Sequence, residues 1–235
     1  MATFVLIHGA WHGGWCWPRV ADPLRKLGHR VFTPTLTGLG ERAHLLDPQV
    51  NLITHVRDVV GVIEAEELEK IVLCGHSYGG MVITGVADAV RHRIDSMVYL
   101  DAFLPEPGHS LIDCLPPERQ RMIRENTAAS GWMTESPPAT AWKVRAPDDR
   151  SWVDRRTTPH PAAAMTQPLN HSRPWMSVRK AIYVRAEGYD PSPFGPIAER
   201  LKGDPRWQML GVPCGHDVMV DEPDRLVEIL IEASK

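Results

Sequence analysis

The feature that most constrains this chain is the pentapeptide Gly75-His76-Ser77-Tyr78-Gly79, which reads G-x-S-x-G. A short apolar run, residues 70–74, precedes it, and residues 80–87 can wind as a tightly packed helix. A sharp strand-to-helix turn of this kind holds the serine in a strained backbone conformation with its hydroxyl exposed. Glycines are needed two residues before and after the serine because a Cβ there would clash in so tight a bend. The motif therefore predicts that Ser77 is a nucleophile at the end of a buried strand.

The composition favours a single α/β domain and argues against several classes of partner. The chain has 235 residues, a net charge of −3 and no basic run, which disfavours nucleic acid and anionic membrane surfaces as partners. No apolar stretch approaches the ~20 residues of a membrane span, and the N-terminus lacks the basic start of a secretory signal. The cysteines contain no C-x-x-C pair, so we expect reduced thiols in a cytoplasmic protein. They are Cys16, Cys74, Cys114 and Cys214.

Strand and helix alternate at both ends of the chain, which predicts a mostly parallel sheet covered by helices on both faces. The predicted strands are 3–7, 29–33, 70–74, 94–100, 181–184 and 207–210. The predicted helices are 15–27, which ends at a capping Gly28, then 52–68, 80–87, 196–202 and 223–233. From 103 to 175 the alternation gives way to a stretch rich in proline and tryptophan, which we interpret as a small helical cap. We therefore expect a core formed by 1–102 and 176–235, with a cap or lid at 103–175.

The catalytic base should come late in the chain, because a serine hydroxyl is a weak nucleophile without one. His216, in Gly215-His216-Asp217, follows the last predicted strand and precedes the closing helix. We therefore predict that His216 is the base for Ser77.

An oxyanion requires two backbone N–H donors, and the sequence offers one on each side of the predicted site. Tyr78 follows the nucleophile, and Ala10 lies in the glycine-rich loop 8–14 that follows the first strand. Gly9 and Trp11 of this loop are predicted to contact the substrate. The loop lacks the G-x-G-x-x-G and G-K-[ST] patterns of phosphate binding.

No cofactor is expected from the sequence. His8 and His12 are better explained as residues that position the loop 8–14, and no H-E-x-x-H or other metal spacing is present. The predicted partner is a small-molecule ester. An apolar cap surface would also suit a homodimer.

Two aspartates compete as the acid that orients the histidine. Asp190 lies in the loop after strand 181–184, the usual position for the third member of a triad, where Glu187 competes with it. Asp101 lies at the end of the strand that follows the nucleophile helix, where haloalkane dehalogenases and some lipases place their acid. The acid needs only to orient the imidazole and stabilise its charged form, so either position would serve. We favour Asp101 and keep Asp190 as the alternative.

Four segments resemble the α/β-hydrolase superfamily, and within it the plant hydroxynitrile lyase and methylesterase group with its bacterial esterase relatives. They are 4–17, 72–81, 182–184 and 215–216. The resemblance implies an α/β-hydrolase fold with a cap inserted after the strand that follows the nucleophile helix. It also implies a serine hydrolase that cleaves a small aromatic or hydrophobic ester, carbamate or amide through an acyl-enzyme intermediate. Bacterial relatives include enzymes acting on small aromatic esters and carbamates, pesticides among them.

Two departures from the lyases favour hydrolysis. The lyases carry a threonine where this chain has Gly9, and a lysine after the catalytic histidine where it has Asp217. We expect the Asp217 carboxylate to repel developing cyanide, which argues against a hydroxynitrile-lyase-like C–C lyase. A non-catalytic small-molecule receptor of the same fold is the remaining alternative, and the intact Ser77, His216 and loop 8–14 argue against it.

Overall fold

Six parallel strands form the central sheet of the computed structural model, which describes residues 1–235. The eight strands of the chain are β1 (Thr3–Ile7), β2 (Arg30–Phe32), β3 (Ile71–His76), β4 (Ile94–Leu100), β5 (Met133–Thr134), β6 (His160–Pro161), β7 (Lys180–Ala186) and β8 (Trp207–Val212). The sheet order is β2-β1-β3-β4-β7-β8, and every neighbouring pair is parallel. The predicted fold class is confirmed.

Helices cover this sheet and follow the predicted alternation. They are α1 (Pro18–Lys26), α2 (Leu52–Ala65), α3 (Gly79–Ala89), α4 (Pro117–Ser130), α5 (Pro147–Asp154), α6 (Ala162–Thr166), α7 (Gly195–Leu201), α8 (Val218–Asp221) and α9 (Pro223–Ala233). Helix α1 packs against α9, and α2 packs against α3. None of these helices is both long and apolar enough to cross a membrane.

Several boundaries differ from the predicted ones for local reasons. The helix expected over 15–27 starts as a 3-10 turn, Gly14–Cys16, and becomes α-helical only at Pro18, a residue suited to a first helical position. Gly28 has a φ of 84°, as a C-terminal cap requires. Helix α2 ends at Ala65 because the chain turns at Glu67, whose φ is 48°, before it enters β3.

The segment between β4 and β7, where we predict a cap, holds α4, α5 and α6 together with an antiparallel pair, β5 and β6, that the sequence did not indicate. Each strand of this pair has only two residues, too few for an alternating pattern to be visible. Strand β6 contributes His160, which is fully buried next to Trp11. The pair therefore joins this segment to the loop that follows β1.

The sheet topology brings three loops to one edge. The carboxyl ends of parallel strands lie at the same edge, and ligands bind where the strand order reverses. Here β1 is followed on one side by β2 and on the other by β3, so the loop 8–14 lies beside the turn at Ser77. Strand β4 ends next to β3, which places Asp101 on the same edge.

Candidate active site

The turn after β3 has the geometry that the G-x-S-x-G motif predicts. Ser77 has a φ of 53°, a left-handed conformation that non-glycine residues rarely adopt. A Cβ on Gly75 would lie 2.5 Å from the Gly79 carbonyl oxygen, and one on Gly79 would lie 2.7 Å from the Ile7 carbonyl oxygen. Only glycine therefore fits on either side of the serine. The strained turn holds Ser77 at the floor of the main cavity.

His216 is held by Asp101 through its Nδ1 atom. The Nδ1–H donates to Oδ2 of Asp101 over 2.7 Å, and both side chains are buried. Nε2 of the same ring has no hydrogen-bond partner in the chain and remains available to the Ser77 hydroxyl, which lines the same cavity. Triad hydrogen bonds often tighten only once a substrate is bound. Ser77 and His216 thus line one cavity, and Asp101 hydrogen-bonds to His216 from behind.

Asp101 is itself over-determined by its surroundings. Its second oxygen, Oδ1, accepts from the Arg185 guanidinium over 3.0 Å and from the Ala186 backbone N–H over 3.2 Å. The residue has a φ of 40°, and its own N–H donates to the Val184 carbonyl. These contacts leave the carboxylate one orientation, with Oδ2 towards His216.

The loop after β7 supplies aromatic rings rather than an acid. Asp190 is exposed and does not contact His216, and Glu187 is exposed as well. Tyr189 stacks on the imidazole of His216 with ring centroids 4.7 Å apart, and Phe194 does so at 5.2 Å. This loop therefore shields His216 from solvent, while the carboxylate comes from β4.

The loop 8–14 presents free backbone donors beside the serine. The N–H groups of Ala10 and Tyr78 donate to no other group of the chain, so both remain available to an oxyanion. Trp11 has a φ of 63° and donates from its Nε1 to the Thr134 carbonyl over 2.9 Å. The loop is thereby anchored to strand β5 on its cap side.

Buried histidines support this loop as neutral hydrogen-bonding groups. Burial lowers the pKa of His8 to about 3, and its ring donates to the Gly9 carbonyl and accepts from the Leu36 N–H. Burial likewise lowers the pKa of His55 to about 4, and this ring accepts from the Tyr78 hydroxyl over 2.8 Å. The His55 ring therefore holds Tyr78, and the His8 ring holds Gly9, the neighbour of Ala10. Tyr78 and Ala10 carry the predicted oxyanion donors.

His76 is the exception among these rings, because one of its nitrogens has no partner. Its Nε2–H donates to the His216 carbonyl over 3.0 Å, whereas Nδ1 is buried without a hydrogen bond. Burial lowers its pKa well below the usual range, so the ring is neutral. His76 thus connects the nucleophile turn to the histidine loop.

Asp217 does not lie where the sequence led us to expect it. Its side chain is fully buried, lines neither cavity of the site, and pairs with His12 over 3.3 Å. The expectation that its charge faces the reacting group is therefore wrong. Residue 217 is the N-terminal cap position of helix α8, and its side chain is directed to His12.

The main cavity has a volume of about 620 Å³, a size typical of small-molecule sites. Ser77 and His216 form its floor, and Asn126 and Glu135 add exposed polar groups to its lining. The remaining lining is mostly apolar and includes Trp11, Tyr78, Phe103, Trp142, Met165, Tyr189 and Phe194. The arrangement can enclose a compact apolar molecule with a carbonyl at the serine.

Comparison with known proteins agrees with this geometry. The model of the alpha/beta hydrolase family matches residues 4–229. The chain belongs to the α/β-hydrolase family. A carbendazim hydrolyzing esterase from Nocardioides sp. is 50% identical over 239 aligned positions, which cover 98% of both chains. Methylesterase 2 of Arabidopsis thaliana is 31% identical over 55% of this chain and 48% of its own length, so that match spans about half of the relative.

The chain also resembles a solved structure over almost its whole length. An extracellular α/β-hydrolase from a Paenibacillus species has a TM-score of 0.88 and 27% sequence identity, and the match covers 99% of both chains. Its description reports structural and functional homology to tobacco salicylic acid binding protein 2. The predicted relationship to bacterial esterases and plant methylesterases is confirmed, and so is the prediction of a carboxylic ester hydrolase at the level of the family.

Most predicted site residues of this α/β-hydrolase come together, and a few do not. Ala10, Trp11, Ser77, Tyr78 and His216 all line the main cavity, and Asp101 lies behind His216. Gly9 lines only a recess of about 10 Å³ between Ser77 and His76. Asp190 neither lines the cavity nor hydrogen-bonds to His216.

Sequence reasoning missed the residues that act through others. Three of them lie at the carboxyl end of the core strand β7 or in the loop after it, and this position was a usable signal for a role in the site. They are Arg185, Tyr189 and Phe194. His55 carried a weaker one, since it lies on the buried face of α2 beside Val56. Of the cap tryptophans, Trp142 lines the cavity, whereas Trp152 and Trp175 pack against Trp15 and Trp207.

Proposed function

We propose that this chain is a serine esterase that hydrolyses a small aromatic or hydrophobic carboxylic ester or carbamate through a covalent acyl or carbamoyl enzyme. The observation that carries the proposal is the hydrogen bond from His216 Nδ1 to Asp101 at the floor of the cavity that Ser77 lines. It fixes the tautomer in which Nε2 is unprotonated, so that His216 can accept the serine proton.

The proposed reaction begins with attack of the Ser77 Oγ on the substrate carbonyl carbon while His216 Nε2 takes the hydroxyl proton. The buried Asp101 carboxylate stabilises the resulting imidazolium. The Ala10 and Tyr78 N–H groups donate to the oxyanion of the tetrahedral intermediate. The leaving alcohol takes the proton from His216, and the C–O bond to it breaks.

The second half of the reaction uses the same groups. Water loses a proton to His216 Nε2 and attacks the acyl or carbamoyl carbon. The bond to Ser77 Oγ then breaks, and the serine regains its proton from His216. Every step in this scheme uses side chains and backbone groups of the chain itself.

The shape of the cavity supports an aromatic substrate. Trp11 and Trp142 stack with ring centroids 6.1 Å apart on one side, and Tyr189 and Phe194 stand near His216 on the other. A flat ring bound between these walls would meet aromatic faces with little polar surface to desolvate. Because the chain is 50% identical to an esterase named for hydrolysing carbendazim, carbendazim is the first compound to test as a substrate.

The test combines a covalent probe with a chromogenic substrate. A fluorophosphonate should label the wild-type chain, and p-nitrophenyl acetate should give a burst of p-nitrophenol followed by steady turnover. Ser77→Ala should abolish both. Failure of the folded wild type to label and to turn over the aryl acetate would overturn the proposal. Consumption of carbendazim by the wild type but not by Ser77→Ala would extend it to that substrate.

A further inference from the structure

His12 and Asp217 form a buried pair that joins two loops far apart in the sequence. Nε2 of His12 lies 3.3 Å from Oδ2 of Asp217, and the side chains are 2% and 0% exposed. Burial opposes the charge on His12, but the carboxylate outweighs it and raises the pKa of the imidazole. Burial also opposes the charge on Asp217, yet His12 lowers its pKa to about 2. Both ring nitrogens of His12 face an acceptor, Nε2 the Asp217 carboxylate and Nδ1 the Ala10 carbonyl, so both carry a proton and the two side chains form an ion pair.

The other nitrogen of His12 reaches the loop that carries the predicted oxyanion donor. Nδ1–H donates to the Ala10 carbonyl over 2.9 Å, and the Ala10 N–H is free. The ring is wedged between Trp15 and Trp142, with centroids 5.2 Å and 5.0 Å away. The His12 imidazole thus contacts both Ala10, which would donate to the oxyanion, and Asp217, which follows His216 in the chain.

The other titratable groups near this pair are His8, His76, His216 and the Cys16 thiol. His8 and His76 are neutral because burial lowers the pKa of each, and the Cys16 thiol stays protonated because burial raises its pKa. The second oxygen of Asp217 lies 3.8 Å from His76 Nε2 and has no hydrogen bond. The strongest partner of each member of the pair is therefore the other member.

We infer that His12 and Asp217 are positioning residues for the hydrolysis, which set the distance between the Ala10 N–H and the His216 ring. This inference rests on the proposed function. A buried ion pair adds little net stability compared with apolar side chains of the same volume, so stability alone gives a weak reason for it. Such a pair is suited to fixing the position of one loop relative to another, because each charged partner is stabilised only where it meets the other.

Three variants separate the two ends of the connection. His12→Asn keeps an amide N–H near the place of Nδ1 and so keeps a donor to Ala10, but it cannot reach Asp217. His12→Gln places its amide near Nε2 and so reaches Asp217, but it loses the bond to Ala10. Asp217→Asn keeps the shape and removes the charge. Asp95→Asn is the matched control, because this carboxylate pairs with Arg179 at the start of β4, the end of the strand opposite the site.

The readout is the split between kcat and KM, together with the affinity for an aryl trifluoromethyl ketone, whose adduct with the serine carries an oxyanion. Misplacing a catalytic group by about 1 Å costs on the order of 100-fold in rate. We expect each of the three variants to lose ~10- to 100-fold in kcat, with KM changed less than ~3-fold. Affinity for the ketone should fall with kcat, whereas binding of p-nitrophenol should not change. Asp95→Asn should lower the unfolding midpoint and leave kcat unchanged.

The outcomes distinguish this inference from the proposed function. If the wild type neither labels with fluorophosphonate nor turns over p-nitrophenyl acetate, the proposed function fails. If the wild type is active and the His12 and Asp217 variants keep their kcat per folded molecule, only the positioning role is overturned. A fall in kcat that matches the folded fraction in thermal unfolding would also overturn it. Should Asp217→Asn not fold, the kcat per folded molecule of His12→Asn and His12→Gln, each compared with the wild type, decides the question.

Discussion

Replacing Asp101 by asparagine tests how the proposed triad is built. The carboxylate uses both oxygens, one towards His216 and the other towards Arg185 and the Ala186 N–H. Asparagine has only one oxygen, and two donors on the Arg185 side hold it there. Its NH₂ group then faces His216 Nδ1, which must become an acceptor. The ring proton moves to Nε2, the atom that has to accept the proton of Ser77.

The wrong tautomer costs about 10⁴-fold in kcat, which is about 5 kcal/mol of transition-state free energy. The assay is kcat/KM for p-nitrophenyl acetate, corrected for the folded fraction from circular dichroism. Asp190→Asn is the control, because this residue is exposed and does not contact His216. It should stay within about 3-fold of the wild type, as expected for a surface change outside the site. If Asp101→Asn keeps more than about a tenth of the activity, or if Asp190→Asn loses as much, the assignment of the acid is wrong.

Three further predictions concern the loop 8–14, the nucleophile helix and the buried ion pair. Gly9→Ala would put a Cβ 2.9 Å from His76 Nδ1 and 3.0 Å from Ser77 Cβ, so kcat/KM for p-nitrophenyl acetate should fall ~10- to 100-fold with little change in the urea midpoint. Gly80→Ala would put a Cβ 2.0 Å from the Phe103 carbonyl oxygen and should lower the free energy of unfolding by ~3 kcal/mol. In the control Gly61→Ala, in α2, the new Cβ would have no neighbouring atom within 4 Å, and the free energy of unfolding should rise by ~0.5–1 kcal/mol. The pKa of Asp217 is lowered to about 2 from its usual 3.8, which contributes ~2 kcal/mol of stability. This contribution is full above pH ~4 and is lost as the pH falls towards 2. The raised pKa of His12 contributes stability that is full below pH ~6.5 and is lost as the pH rises through the raised value. Urea unfolding between pH 3 and 9 should therefore show a smaller dependence in Asp217→Asn than in the wild type, and an unchanged profile would contradict the ion pair.

The fold could be predicted from the sequence because its central strands are buried on both faces. Residues 71–76 of β3 are all buried, and such continuous apolar runs are visible without any tertiary information. The cap resisted prediction for the opposite reason. Its two-residue strands contact Trp11 through Thr134 and His160, and such long-range contacts leave no local pattern.

The candidate site was predictable where a residue's role follows from its place at a strand end. Ser77 and Asp101 are of this kind, since each ends a core strand and has a left-handed backbone. Orientation was not predictable in the same way. Nothing in the order Gly215-His216-Asp217 indicates that the first carboxylate after the histidine points away from the cavity, because that depends on the start of α8 and on His12.

The inward position of Asp217 changes which residue argues most strongly against lyase chemistry. The Asp217 carboxylate lines neither cavity and is paired with His12, so its charge is offset before it reaches the cavity and the argument from its sign is weaker. What remains at this position is the absence of a lysine. Gly9 carries the stronger argument, because any side chain there would meet both His76 and Ser77. The space that Gly9 keeps open lies beside the serine that has to receive an ester carbonyl, and a threonine would fill it.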